Sequence, residues 1–168
     1  VYDGGETFKS IIMQAKGFTL LELILVIGIL SILATAGFNI YYNFQLNIKV
    51  EEEGNKIQSV LRQVQQKAIS GEESSQWGIR FVYPQTGDQY YDAFWGANYS
   101  TGTTTERFYL SSGVEFTNPS ASSTIDIIFN KRTGEVATSS PVIISVKTIT
   151  SDIIKNITIT PKGLISRD

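Results

Sequence analysis

A run of 21 residues, from Phe18 to Phe38, carries one charged side chain, that of Glu22, and constrains the fold more than any other feature. As an α-helix the run would be about 31 Å long, at about 1.5 Å per residue. Because about 20 apolar residues span the hydrocarbon core of a bilayer, the run predicts a transmembrane helix. Lys9 and Lys16 precede the run and its near C-terminal flank is uncharged, which predicts a cytoplasmic N-terminus.

Two ordinary interpretations compete for this run, a cleavable secretory signal peptide and a simple single-pass anchor. The segment 34–36, Ala-Thr-Ala, fits a signal peptidase site, and cleavage after Ala36 would release a soluble β domain. Signal peptides, however, have apolar regions of about 7–15 residues without an acid, and this run is longer. An acid inside a membrane segment is costly, so Glu22 is expected to have a partner and a function.

The seven residues KGFTLLE, 16–22, resemble the prepilin cleavage motif of type IV pilins and type II secretion pseudopilins. This resemblance implies that a prepilin peptidase, which is also an N-methyltransferase, cuts between Gly17 and Phe18. Lys16 would be the basic residue of the leader, Phe18 would become the methylated N-terminus, and Glu22 would become the fifth residue of the mature chain.

The resemblance also implies why an acid is tolerated at this position. Cleavage would leave a cationic amine on Phe18, and Glu22 of one subunit would pair with that amine of its neighbour in a filament. A buried carboxylate without a partner is expensive, whereas a paired one can fix the register between subunits. The sequence therefore predicts that assembly neutralises the charge of Glu22.

The chain divides into three predicted parts. A leader peptide covers 1–17, a long N-terminal helix with its transmembrane segment over 18–38 covers 18–70, and a β-rich globular head covers 71–168. A start at Met13 rather than Val1 would shorten the leader. The expected fold class is α+β, with the long hydrophobic helix packed on an antiparallel β-sheet or a small β-sandwich.

The second half of the predicted helix is amphipathic. Ile57, Leu61, Val64 and Ala68 recur at helical spacing and form one apolar stripe, which predicts packing against a sheet. The acidic run 51–53 points in three directions around the helix, so we expect a solvated face rather than a metal site. The glycine and polar residues of 70–76 end the helix.

Short apolar runs separated by turn residues predict the strands of the head. We expect strands at 76–84, 88–96, 106–110, 114–118, 123–130, 134–139, 141–148, 153–161 and 163–167. A Lys-Arg-Thr-Gly turn at 131–134 predicts a hairpin between the strands 123–130 and 134–139.

Four stretches of the head resemble the H-type minor pseudopilins of the GspH/FimT type. They are WGIRF, LSSGVEF, IIFNKRTGEV and the terminal ITITPKGLISRD, at 77–81, 110–116, 127–136 and 157–168. This resemblance implies a minor subunit with a tip-proximal or priming role. A major-pilin head is the alternative.

The composition and motifs give no sign of catalysis. The chain has neither histidine nor cysteine, and it lacks a phosphate-binding glycine loop and a nucleophile elbow. Asp88, Asp92 and Asn98 do not have the spacing of an EF-hand calcium loop. We therefore expect a protein that is not an enzyme, with no catalytic residue, no metal site and no cofactor.

Ligand binding has weak support in the sequence. The net charge is −2, and Lys162 and Arg167, the basic residues that DNA-uptake relatives would use near the C-terminus, are offset by Asp168. The aromatic residues of 90–99 could form a contact surface. However, strand alternation places Tyr91 and Trp95 on one face and Tyr90 and Phe94 on the other, so half are expected in the core.

We therefore expect a prepilin-type structural subunit of a type IV pilus or a type II secretion pseudopilus, with a minor role in protein secretion. The alternatives are a major pilin, or a minor pilin that binds DNA or surfaces in uptake or adhesion. The expected partners are the prepilin peptidase, other pilin or pseudopilin subunits and the inner membrane, with nucleic acid weakly supported. The expected location is the inner membrane, with the N-terminus cytoplasmic, and then a periplasmic or extracellular filament.

Overall fold

The computed structural model of the chain describes residues 17–149 and 153–168. The predicted leader residues 1–16, Lys16 among them, lie outside the described residues. The side chains of five residues within the first helix also lie outside the described part: Ala36, Gly37, Asn39, Ile40 and Asn43. The chain divides into two compact units, Val1–Ile40 and Tyr41–Asp168, and each is described by itself.

A single helix, α1, runs over Leu20–Ser70 and contains 51 residues. It begins after Thr19 because the Thr19 side chain is its N-cap: Oγ1 accepts a hydrogen bond from the Glu22 N–H at 3.2 Å. It ends where Gly71 adopts a left-handed conformation with φ of 73°. Ala68 then accepts hydrogen bonds from the backbone N–H groups of Gly71 at 3.1 Å and Arg132 at 2.9 Å. The helix end is thus capped by the head.

Within the part of the chain that the structure describes, no helix is both long enough and apolar enough to cross a membrane. The predicted transmembrane segment 18–38 contains Ala36 and Gly37, whose side chains lie outside the described part. The assignment of 18–38 as a membrane segment stays a prediction.

Over the described residues, the head contains eight strands in two antiparallel sheets. Sheet A has the order β3-β2-β1-β5 and is built from β1 Trp77–Tyr83, β2 Tyr90–Trp95, β3 Thr103–Tyr109 and β5 Ser123–Phe129. Sheet B has the order β4-β6-β7-β8 and is built from β4 Val114–Asn118, β6 Val142–Thr148, β7 Ile154–Ile159 and β8 Ile165–Arg167. The predicted α+β class is confirmed, and the strands form two separate sheets.

The apolar stripe of α1 and the inner faces of both sheets share one core. Ile57 and Leu61 of the helix are fully buried, as are Phe81 of sheet A and Ile144 of sheet B. The rings of Phe81 and Phe116 meet edge to face with centroids 5.8 Å apart, which joins the two sheets directly. Burying each such side chain contributes about 1.5–3 kcal/mol, so this shared core is the main source of stability of the head.

The predicted strand 134–139 is wrong. Only Val136 forms a bridge there, to Phe129 of β5. The Val136 N–H donates instead to the carbonyl of Pro161 at 2.9 Å. Arg132 and Gly134 have φ of 71° and 68° in the tight turn after β5, and the Asn130 N–H donates to the Glu135 carbonyl at 2.8 Å, but the pairing does not continue beyond Val136. The segment therefore connects β5 to the C-terminal turn instead of extending a hairpin.

The solvated face predicted for 51–53 is wrong at one position. Glu53 is buried, with 1% of its surface exposed, while Glu52 is exposed. Glu53 lies on the inner side of α1, between Val50 and Ile57, and a loop of the head supplies hydrogen-bond donors to it. A carboxylate can be buried at this position because those donors replace water.

The outer face of sheet A carries a cross-strand ladder of alternating charges. Asp126, Arg80, Asp92 and Arg107 lie opposite one another on β5, β1, β2 and β3. Arg80 binds Asp126 at 2.6 Å, and Arg107 holds the buried Asp92 with two bonds of 2.7 and 2.8 Å. The Asp92 carboxylate raises the pKa of the Arg107 guanidinium. The ladder ties the edge strand β3 to the centre of the sheet.

The aromatic residues of 90–99 separate largely as the alternation predicts. Tyr91 is fully buried in the shared core and Trp95 packs against that core. Phe94 is also fully buried although it lies on the opposite face. The ring of Tyr99 covers it edge to face at 5.3 Å, and the Tyr99 hydroxyl donates to Asp92 at 2.6 Å. The β2–β3 loop therefore forms a second, small apolar cluster outside the shared core.

Candidate processing and assembly site

The residues on either side of the predicted scissile bond precede the first turn of α1. Gly17 and Phe18 are non-helical, and the Phe18 side chain is 82% exposed. A Cβ atom built on Gly17 would find no atom within 4 Å. Among the described residues, none crowds the Cβ position of Gly17, which suits a peptidase substrate.

Glu22 lies in the first turn of α1, where a negative charge interacts favourably with the helix dipole. Its backbone N–H is bound to the Thr19 hydroxyl, and no ion pair involves its carboxylate among the described residues. The neighbouring Leu20, Leu21 and Leu23 are all more than half exposed. The carboxylate therefore lies among exposed apolar side chains and has no charged partner among the described residues, so it can pair with a cation from another chain.

The structure thus brings three of the predicted site residues, Gly17, Phe18 and Glu22, into one short segment at the start of α1. The fourth, Lys16, lies outside the described residues. Thr19 was not singled out from the sequence. The signal that could have found it is the spacing Thr-x-x-Glu at 19–22, which is typical of a capping box at a helix start.

Replacing Gly17 by valine should block processing without destabilising the head. The added Cβ atom meets no described atom within 4 Å and Gly17 precedes α1, so the melting temperature of the head should not change. A peptidase pocket that fits glycine should reject the larger residue, and pockets discriminate by about tenfold or more for each such group. The processed fraction of membrane-bound chain, measured by intact mass, would test this. Normal processing of Gly17→Val would show that the peptidase does not require glycine at this position.

A second polar region, not predicted from the sequence, lies where α1 meets the head. We call it the polar belt, and it consists of Lys49, Glu53 and Lys56 of α1 with their partners in 109–113, the end of β3 and the loop that follows it. Glu53 Oε2 accepts from the Ser111 N–H at 3.1 Å and from the Ser111 hydroxyl at 2.6 Å. Lys56 donates to the Tyr109 carbonyl at 3.2 Å, and Lys49 to the Ser112 carbonyl at 3.5 Å.

The other Glu53 oxygen, Oε1, lies 3.6 Å from the Lys56 ammonium, within ion-pair distance but too far for a hydrogen bond. The hydroxyl of Tyr91 is buried close by, and it also has no hydrogen-bond partner among the described residues. Burial, and then the negative charge of Glu53, raise the pKa of the Tyr91 hydroxyl. The tyrosine therefore remains neutral beside a carboxylate.

On the other flank of α1, Glu51 pairs with Arg167 and with Lys155, the latter at 3.4 Å. The hydrogen bond from Arg167 is the main cause that lowers the pKa of the Glu51 carboxyl. Arg167 also donates to the Glu51 carbonyl at 3.1 Å. These contacts fasten the last strand of the head to the helix.

The two basic residues weighed for DNA binding are both engaged. Arg167 is committed to Glu51, and Lys162 lies 3.2 Å from the carboxylate of Glu135. Only Lys162 is strongly exposed, with 87% of its side chain accessible. Since nucleic-acid binding needs several free phosphate contacts, this end of the head offers a weak footprint.

Within residues 17–149 and 153–168, no group of acidic side chains is arranged to hold a metal ion. The carboxylates that do approach other groups, such as Asp92, Asp126 and Glu51, are paired with arginines. The chemistry available at the described sites is hydrogen bonding and ion pairing.

Comparison with known proteins agrees with this geometry. A family model described as the prokaryotic N-terminal methylation motif matches residues 12–38, which include Gly17, Phe18 and Glu22. The fold is similar to the crystal structure of the type IV minor pilin FimU from Pseudomonas aeruginosa strain PAO1, with a TM-score of 0.52 and 10% sequence identity. That match covers 70% of this chain and 91% of FimU. A comparison with curated protein sequences found no match.

The match to the N-terminal methylation motif and the fold likeness to a type IV minor pilin confirm the resemblance to type IV pilins and pseudopilins that the sequence predicts. The finer resemblance to H-type minor pseudopilins is not confirmed and stays a prediction.

Proposed function

We propose that the chain is a prepilin-type filament subunit that is cut between Gly17 and Phe18, N-methylated on Phe18, and assembled through α1. The observation that carries the proposal is the match of the methylation motif to 12–38, combined with the open backbone before α1. A prepilin peptidase that is also the methyltransferase would be the processing partner.

Assembly would use the charge that processing creates. The new amine on Phe18 is a cation, and the carboxylate of Glu22 has no ion-pair partner among the described residues of its own chain. Pairing between neighbouring subunits would neutralise both groups inside the apolar helix bundle of a filament. Such a pair is specific because a misplaced subunit leaves a buried charge unpaired.

Before assembly, the segment 18–38 would hold the subunit in the inner membrane with its N-terminus cytoplasmic. Afterwards the subunit would belong to a periplasmic or extracellular filament. We assign it as a minor subunit of a type IV pilus or of a type II secretion pseudopilus. The H-type stretches of the head support this, and the fold likeness to FimU, a minor pilin, supports the minor role.

The experiment that tests the proposal is to determine the N-terminal residue and mass of the chain recovered from membranes, with and without the prepilin peptidase. A mature chain beginning at methylated Phe18, found only with the peptidase, is the expected result. A mature chain beginning at Gly37 would overturn the proposal, because it would make the protein a β domain released by signal peptidase.

A further inference from the structure

Glu53 is a buried carboxylate on the inner side of α1, which is otherwise mainly apolar. An apolar side chain at this position would continue the stripe of α1, yet the chain has a carboxylate with 1% of its surface exposed. Its two bonds are made to one residue, Ser111, in the loop between β3 and β4. Such a bond can exist at only one longitudinal position of the helix, since the loop is fixed to the sheets.

We propose that Glu53 sets the register of α1 on the head by blocking a one-turn slip of the helix. In this slip each residue takes the place of the residue four positions ahead. Ile57 would then occupy the place of Leu61, and three apolar positions of the stripe would remain apolar, with Val60 in the place of Val64 and Val64 in the place of Ala68. Hydrophobic burial alone therefore distinguishes the two registers poorly.

Glu53 separates these registers. The slip would move its carboxylate into the fully buried place of Ile57, away from the Ser111 donors. Burying an unpaired carboxylate in an apolar site is strongly unfavourable. Lys56 would take the place of Val60 at the edge of the core, from which a long side chain can reach water. The burial of the Glu53 charge and the loss of its Ser111 bonds therefore oppose this slip, together with the loss of the Gln65 bonds to Gly134 and Gly163.

The opposite slip is blocked independently. It would bring Gln65 into the fully buried place of Leu61 and break the bonds from its amide to the carbonyls of Gly134 at 2.9 Å and Gly163 at 2.7 Å. The native register is thus bounded on both sides by a polar group. The slip that Glu53 opposes can be tested with a specific reporter.

The chain contains no cysteine, so an engineered disulfide can report the register. A Cβ atom at Gly54 would lie 3.9 Å from that of Lys155, within the bridging range of about 3.5–4.5 Å. The pair Gly54→Cys with Lys155→Cys therefore reports the native register. One turn of slip, about 5.4 Å, would bring Val50 to the place of Gly54, so Val50→Cys with Lys155→Cys reports the slipped register.

The experiment is to oxidise the full-length chain in detergent and to measure both disulfides by mass spectrometry in each background. Glu53→Leu should lower the yield of the native disulfide and raise that of the slipped one. Glu53→Gln keeps a hydrogen-bond acceptor and should retain the native disulfide. The matched control is Glu52→Leu, the same substitution one residue away at an exposed position, and it should change neither yield.

Ser111→Ala is a milder variant that removes only the hydroxyl bond, and it should shift the two yields in the same direction by a smaller amount. Unchanged yields in Glu53→Leu would overturn the proposal. A fall of both disulfides together in Glu53→Leu and in Ser111→Ala would also overturn it, because that pattern reports a loss of packing and not a change of register.

Discussion

Replacing Glu22 by glutamine should abolish incorporation into filaments while the subunit is still processed and still folded. The amide has the shape of the carboxylate but cannot neutralise the amine on Phe18 of a neighbour. Removing one partner of a buried ion pair costs about 3–5 kcal/mol. At about 1.4 kcal/mol per factor of ten, each contact between subunits would weaken by about 100-fold or more. Sheared filaments should therefore lack the variant.

The control for this experiment is Glu52→Gln, the same change at an exposed residue of the same helix, which should assemble normally. The N-terminal mass of Glu22→Gln recovered from membranes should show normal cleavage after Gly17. If the variant appears in filaments at the wild-type level, Glu22 is not the assembly contact. If it remains uncleaved, its defect lies in processing instead.

The largest effect on stability is expected for Gly163→Ala. Gly163 has φ of 78° in the turn before β8, a conformation that alanine adopts with strain. Its new Cβ would overlap the carbonyl oxygen of Gly134 and lie 2.5 Å from the Gln65 amide nitrogen. Backbone strain and overpacking together should destabilise the head by about 4 kcal/mol. The melting temperature should fall by about 10–15 °C.

Gly87→Ala provides the matched comparison, because Gly87 has φ of 96° but a Cβ atom added to it would meet no atom within 4 Å. This variant should be destabilised only by the strain of the left-handed conformation, which costs about 1–2 kcal/mol. Calorimetric or spectroscopic melting of both variants would separate strain from overlap. Equal losses would show that the contact with Gly134 and Gln65 is easily relieved.

Much of the fold could be predicted because it depends on periodicity. The stripe of Ile57, Leu61 and Val64 predicts the buried face of α1, and the alternation of Tyr91 and Trp95 predicts the inner face of β2. The limits of the strands follow turn residues that lie nearby in the sequence. Such local patterns determine which face of an element is buried, whatever it packs against.

The errors occur where distant residues decide the outcome. The burial of Glu53 depends on Ser111, which is 58 residues away, and the loss of the strand 134–139 depends on Pro161. Phe94 is buried by a loop that folds back over its own sheet. Of the candidate site, the motif predicts Gly17, Phe18 and Glu22, because these residues are nearly continuous in the sequence. The polar belt is assembled from separate segments and leaves no local signal.

The edge strand β3 affects how copies of this chain avoid pairing with one another through their sheets. Its residues are almost all exposed, so another copy could pair with it and extend the sheet. An antiparallel pairing that overlaps all seven residues, Thr103–Tyr109, is centred on Glu106 and sets it against Glu106 of the other copy. Like charges directly opposite in a sheet repel. The strand therefore carries its own protection against edge-to-edge pairing with another copy of the chain.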